Sequence, residues 1–272
     1  MSEPSEKPTV DTTVVAAARK PEKAMSFWDH LNELRGVLFR SSLSLVVAIG
    51  VVFAYFDQFY AALSWPLNHV LAEFPDLKFQ LVTTTPMEVF NVYLQICLVG
   101  GLIMASPLIL FFIGQFVSPA LTDTERRAVM PFVGSGLFLF LSGCAFSFFL
   151  LVTSALRVSI QLQLAIGWGF NWTPAAYFSM MTWLVLGVGL SFEFPLVIVL
   201  LVHFGIMTTA FLRKYRRHAI VVIFIVAAIV TPTADPITQG IFAIPLYVLY
   251  EIAIIAGGRI EKKRAARLAA AS

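Results

Sequence analysis

Charge is scarce in this sequence: Asp, Glu, Lys and Arg make up 13% of its 272 residues, while 58% are hydrophobic. Soluble domains average about 25% charged and roughly 45–50% apolar residues, so this balance excludes a soluble globular fold and indicates a membrane protein. Cysteine is nearly missing. Cys97 and Cys144 stand in apolar segments with no partner motif, so neither a disulfide framework nor a thiolate metal site is implied. Each reads as a small buried hydrophobe. Four histidines are scattered without metal spacing, and HExxH, GxSxG, Walker and CxxC patterns are all lacking, which leaves no enzyme constellation and no cofactor site. No continuous basic face with interleaved aromatics is present, so nucleic acid is not an expected partner despite the net charge of +3. Residues 1–24 hold Glu3, Glu6, Asp11 and Glu22 and no apolar run, unlike a signal or transit peptide, and read as a disordered cytoplasmic tail. No internal repeat of the inverted-transporter kind is visible.

What the sequence has is apolar length. A hydrocarbon core of about 30 Å takes around 20 helical residues to cross, and six runs qualify or come close: 39–56, 89–110, 128–152, 179–204, 219–230 and 237–256. The fifth, a dozen residues, reaches only about 18 Å. It implies a thinned bilayer or a hairpin of helices five and six buried in protein. The expected architecture is all-α and polytopic, with a membrane domain over 25–257 and a basic cytoplasmic tail over 258–272. Two larger connections, 57–88 and 153–178, fall on the external side, the second carrying Trp168, Trp172 and Tyr177 in the manner of an interfacial belt.

Lys and Arg set the orientation. Six lie between the N-terminus and Arg40, two at Arg126 and Arg127, four at Arg213, Lys214, Arg216 and Arg217, and five in the tail; only Lys78 and Arg157 fall on the other side. Both termini are therefore expected in the cytoplasm.

Four stretches hold the remaining polar residues. In SFWDHLNELRGVLFR, Phe27, Leu31, Leu34 and Leu38 form one apolar stripe, which predicts an amphipathic helix at the cytoplasmic surface. Asp29 and Glu33 meet on another face at i, i+4, a like-charge pair that wants a cation; Arg35, Arg40 or His30 would serve, as would an outside guanidinium. In GQFVSPALTDTERRAVMP, Thr122 and Glu125 fit a capping box for the third helix. Glu125 is also a second cytoplasmic acid, near Phe116, and two such carboxylates suit a peptide with two arginines and an apolar segment, because carboxylates accept the guanidinium fork bidentately. In SFEFP, Glu193 lies mid-membrane, where a charge costs at least about 2.5–3.5 kcal/mol. A protonated interhelical hydrogen bond, a proton relay and a polar contact for a guest helix are all consistent with it, and Pro195 bends the helix there. Finally Thr231, Pro232, Asp235, Pro236 and Gln239 build a turn on the external side, with Thr231 and Gln239 able to bond another membrane helix. Glu251 is expected to snorkel or pair with Arg259. A proton-coupled solute transporter would need a second polar site near the midplane, which the sequence lacks; a passive scaffold would make the cytoplasmic acids dispensable.

HLNELR, FVSPALTDTERR, SFEFP and TPTADPITQGIFAIPLY, in this order, resemble the TatC family, the core receptor subunit of the twin-arginine protein translocase. The resemblance spans about 25–260. It implies six transmembrane helices in a concave, glove-like bundle with helices five and six short, in the bacterial cytoplasmic (inner) membrane. It also implies Sec-independent export of folded proteins, driven by the proton-motive force without a cofactor. Partners would be twin-arginine signal peptides and the single-span subunits TatB and TatA, in a higher-order assembly. Residue by residue, Glu33 and Glu125 match the family's patch for the arginine pair, and Arg35, Phe116 and Arg127 match further recognition positions. Glu193 matches the glutamate of the concave face, Pro66 a proline of the external cap, and Thr231 and Gln239 the docking cluster for partner helices. The turn reads TPTAD in place of the family's TPPD, and the resemblance does not fix a role for Asp235.

Overall fold

The computed structural model describes residues 27–117, 123–231 and 235–269, and among them every regular element is a helix. The expected caps and turn at Thr122 and Pro232 lie outside these residues, as do the side chains of Asp29, Glu125 and Arg127.

The first helix, α1, runs unbroken over Phe27–Ala54. The amphipathic stretch is thus not a separate surface helix, as expected from its stripe, but the first turns of the membrane helix. No proline interrupts these 28 residues, and Gly36 and Gly50 alone do not break them. Two short helices follow, α2 (Phe56–Leu63) and α3 (Trp65–Leu71), the latter opened by Pro66 at a position whose N–H needs no partner. The second membrane helix, α4 (Glu88–Val117), passes through Pro107 and ends seven residues beyond its expected limit.

The third span begins as α5 (Asp123–Phe146), widens into a π turn at Ser147–Leu151 and continues as α6 (Val152–Ile166). Much of the expected second external connection is therefore helix, and the true loop shrinks to 167–173. Nothing in 152–166 breaks a helix, since it contains no Gly or Pro; packing of Val152, Ala155, Leu156 and Ile160 into the core holds it helical, and Gly167, at φ 77°, supplies the left-handed stop.

The fourth span is α7 (Pro174–Phe192) and α8 (Phe194–His203), interrupted at Glu193. Thr173 caps α7, accepting the Ala176 N–H at 3.1 Å. The interruption follows from Pro195, which removes an N–H and crowds the carbonyl four residues back. After α9 (Thr209–Lys214) come the short fifth span α10 (Arg216–Val230), which rises about 22 Å, and α11 (Pro236–Ala269), which stays helical far into the basic tail.

Among the described residues five helical stretches are long and apolar enough to cross a bilayer, in α1, α4, α5–α6, α7–α8 and α11, and α10, the short fifth span, brings the number to six. α1 packs chiefly on α4, α4 on α5 and α7, α5 on α7, and α11 on α8 and α10, so α1 and α10 form opposite edges of the bundle. Lipid tails are as apolar as the side chains, so close backbone approach rather than hydrophobic burial holds membrane helices together. Gly101 takes Ile49 of α1 against its backbone, and a Cβ on Gly143 of α5 would stand 3.0 Å from Cα of Gly189 on α7. Phe146 and Phe192, each just before a break in its helix, stack with centroids 5.8 Å apart. Cys97 and Cys144 are buried and unpaired by disulfide.

The end away from the start of α1 is closed by polar links between its two connections. The Arg157 guanidinium forks onto Glu73 at 2.8 and 2.5 Å, the Tyr177 hydroxyl donates to the Leu63 carbonyl at 2.7 Å, and the Val82 N–H donates to the Trp172 carbonyl at 2.9 Å.

Candidate functional site

The bundle end at which α1 begins gathers the first turns of α1, the last turn of α4 and the start of α5. There His30 stacks on Phe116 with centroids 4.5 Å apart, which ties HLNELR to the end of the second span. Glu33, one turn further along α1, is half-buried, and its Oε2 has no hydrogen-bond partner among the described residues. Arg35 points to an exposed position. The Glu125 and Arg127 backbone lies in the first turn of α5.

Between α4, α5 and α8 a cavity of ≈ 90 Å³ reaches toward this end. Val117, next to Phe116, lines it at one end, Val129 and Phe132 form a wall, and Gly136 and Leu196 lie deeper. The same Gly136 faces Glu193. A Cβ there would stand 3.2 Å from Glu193 Oε2 and 3.1 Å from a Leu196 methyl, so the missing side chain leaves the space the carboxylate uses. Glu193 Oε1 is shielded from solvent and unbonded among the described residues. The cleft thus offers an apolar passage that starts at Val117, the residue after Phe116, and has the Glu193 carboxylate beside its inner wall.

The other expected positions lie apart from this cleft. The Thr231 hydroxyl donates back to the Ala227 carbonyl at 2.7 Å and the residue is buried; Gln239 reaches across from α11 to the Phe224 carbonyl of α10 at 3.0 Å. Thr231 thus finishes the fifth span on itself, and Gln239 ties the sixth span to the fifth. Asp235 acquires a definite place: its Oδ2 accepts the Thr238 N–H at 2.7 Å and caps α11 ahead of Pro236. Pro66 is buried, beside Trp65, whose ring stacks on His69 and meets Phe149 edge-on. Glu251 pairs with Arg216 at 2.7 Å, not with Arg259, and also accepts the Tyr247 hydroxyl. Arg216 starts α10, which packs directly on α11, whereas Arg259 is eight residues along the same helix, more than two turns away.

Sequence reasoning missed three residues. Glu88, 4% exposed, accepts the Thr84 N–H at 2.8 Å and the Ala175 N–H at 3.0 Å, clamping the first connection to the start of α7. Glu261 accepts the Thr209 N–H at 2.9 Å and its hydroxyl, joining the basic tail to α9. Gly136 shapes the cleft. The available signals were faint: an acid at a helix start for Glu88, a glycine amid a membrane helix for Gly136, and none that separated Glu261 from a solvated tail residue.

The helix count and the polar breaks define a polytopic helical membrane protein. A family model, Sec-independent protein translocase protein (TatC), matches residues 29–245. The chain belongs to the TatC family and is a component of Sec-independent, twin-arginine protein translocation. It is similar to the TatC proteins of Koribacter versatilis (33% identical over 252 residues; 91% of this chain, 90% of the relative) and Aquifex aeolicus (32% over 247 residues; 88% and 98%). It also resembles crystal structures described as the twin arginine translocase receptor TatC. One has a TM-score of 0.71 at 32% identity, covering 85% of this chain and 99% of that one; another, in DDM, has 0.72 at 33%, covering 84% and 99%.

Proposed function

We propose that this chain is the receptor for twin-arginine signal peptides of folded cargo proteins. Glu33 and Glu125 take the two arginines, Phe116 with Arg35 and Arg127 completes the recognition surface, and the peptide's apolar segment follows the cleft toward Glu193. Carboxylates fit guanidinium groups in a forked, bidentate way that ammonium groups cannot match, which is the physical basis for reading Arg-Arg over Lys-Lys. The observation that carries this reading is the continuity of the cleft, which runs from Val117, beside Phe116, to Gly136, against Glu193.

In this reading the protein resides in the bacterial cytoplasmic membrane with both termini in the cytoplasm, consistent with seventeen of its Lys and Arg residues falling on that side. Residues 25–257 form the membrane domain and the tails on either side are cytoplasmic. TatB and TatA dock along the fifth and sixth spans near Thr231 and Gln239, Pro66 serves the external cap, and the proton-motive force supplies the energy. Because both Thr231 and Gln239 bond within their own hairpin, their contribution is to fix the shape of the docking face.

The test is site-specific photo-crosslinking of a signal peptide to the protein in membranes. Arg-Arg peptide is expected to crosslink strongly to wild type, and Lys-Lys peptide, Glu33→Ala and Glu125→Ala each to lose it. Crosslinking indifferent to all three changes would leave the acids as helix caps and overturn the receptor reading.

A further inference from the structure

The basic loop before the fifth span and the basic tail form one surface. α9 is fastened to α11 at several points: Glu261 takes the Thr209 N–H and hydroxyl, the Tyr250 hydroxyl donates to the Leu212 carbonyl at 2.9 Å, and Gly257 lets Thr209 close against the helix. Two arginines lie across this seam in opposite directions. Arg213 of α9 reaches over Gly258 of α11, 3.9 Å from where a Cβ would stand, and Arg264 of α11 lies against Gly205, whose φ of 73° is a backbone state that favours glycine.

Arg213, Arg217, Arg259, Lys262, Lys263 and Arg264 are all exposed here. The acids within reach are engaged elsewhere, Glu261 on Thr209 and Glu251 on Arg216, and no ion pair is made by the six basic residues among the described residues. An orientation signal needs only that basic residues stay on one side; it does not need them packed together against their own repulsion. Ile206, 70% exposed, and Phe211, 47% exposed, flank the seam, which sets it at the lipid–water boundary rather than out in solution.

We propose that this seam is a binding site for anionic phospholipid headgroups. Each guanidinium offers its fork to a headgroup phosphate at its own side of the seam, the lysines add attraction within a Debye length of the membrane surface, and Ile206 and Phe211 rest among the upper acyl chains. The site is separate from the signal-peptide cleft, and its test reads lipid association and not transport.

The full-length protein is reconstituted in phosphatidylcholine vesicles containing spin-labelled phosphatidylglycerol or spin-labelled phosphatidylcholine, and the protein-bound lipid fraction is read by electron spin resonance. Phosphatidylglycerol is expected to associate severalfold more than phosphatidylcholine at low salt, and sodium chloride is expected to erode the difference. The triple variant Arg213→Gln, Lys262→Gln, Arg264→Gln is expected to lose the preference, while Lys78→Gln at the opposite end keeps it. The charge-keeping pair Arg213→Lys, Arg264→Lys retains part of it, which separates lost charge from a disturbed seam. A wild type without preference, or a triple variant that keeps it, overturns the proposal. Inorganic phosphate that displaces the lipid more than chloride of equal ionic strength would make this a free-anion site and also overturn it.

Discussion

The Glu193 carboxylate of the fourth span rests against Gly136 of the third, its Oε2 3.2 Å from the point a Cβ would occupy. Gly136 is buried and lines the same cleft that begins near Phe116, so the two residues together set the inner wall. Gly136→Ala forces the carboxylate and Leu196 to give by a few tenths of an ångström, and Gly136→Leu must expel one of them. Export of a twin-arginine cargo is expected to fall modestly in the first variant and nearly to vanish in the second, with membrane levels of the protein unchanged. Full export by Gly136→Leu would show that Glu193 needs no fixed position.

Glu88 joins two connections that are far apart in sequence, and its loss frees the N–H groups of both Thr84 and Ala175. Glu88→Ala is expected to lower the unfolding temperature in detergent and to open the 79–87 segment to protease, whereas Glu88→Gln, which keeps one acceptor oxygen, sits between it and wild type. Equal protease resistance in all three would mean that the backbone link between Val82 and Trp172 suffices.

The Arg157 fork, followed by the charge attraction it adds, holds the Glu73 carboxyl below its ordinary 4.5. A carboxylate depressed in the folded state favours folding above its unfolded value and loses that contribution as pH falls through the folded value. The melting temperature of wild type should therefore exceed that of Glu73→Gln near neutral pH, and the gap should close at pH values below about 4.5. Both groups are substantially exposed, so the gap is small and salt reduces it. A gap that persists under strong acid would assign the effect to packing.

Glycines in the two states behave oppositely. Gly205 has a left-handed backbone and Arg264 against it, so Gly205→Ala is expected to destabilise the protein by roughly 1–2 kcal/mol. Gly50 lies inside α1 with open space around it, and Gly50→Ala is expected to stabilise by about 0.5–1 kcal/mol. Denaturation in mixed micelles checks both, and a stabilising Gly205→Ala would show that the α8–α9 loop has another conformation open to it.

Apolar length along the chain was enough to place the membrane spans, because a bilayer imposes one distance on every crossing helix. The short fifth span, the break before Pro195 and the start of α11 at Pro236 were equally legible, since proline and chain length act on their immediate neighbours. HLNELR and SFEFP marked where acids lie near or within the membrane. What the sequence could not decide was which polar groups meet. The extent of α1 and α6 depended on what their outer turns pack against, as at Val152, Ala155 and Leu156. Glu251 chose Arg216 over the nearer-numbered Arg259, Glu88 found Ala175 87 residues away, and Glu193 found the gap over Gly136. Hydrophobic length is a property of a segment and can be read from it. A polar contact inside a bundle is a property of two helix faces, and only their packing determines which residues share it.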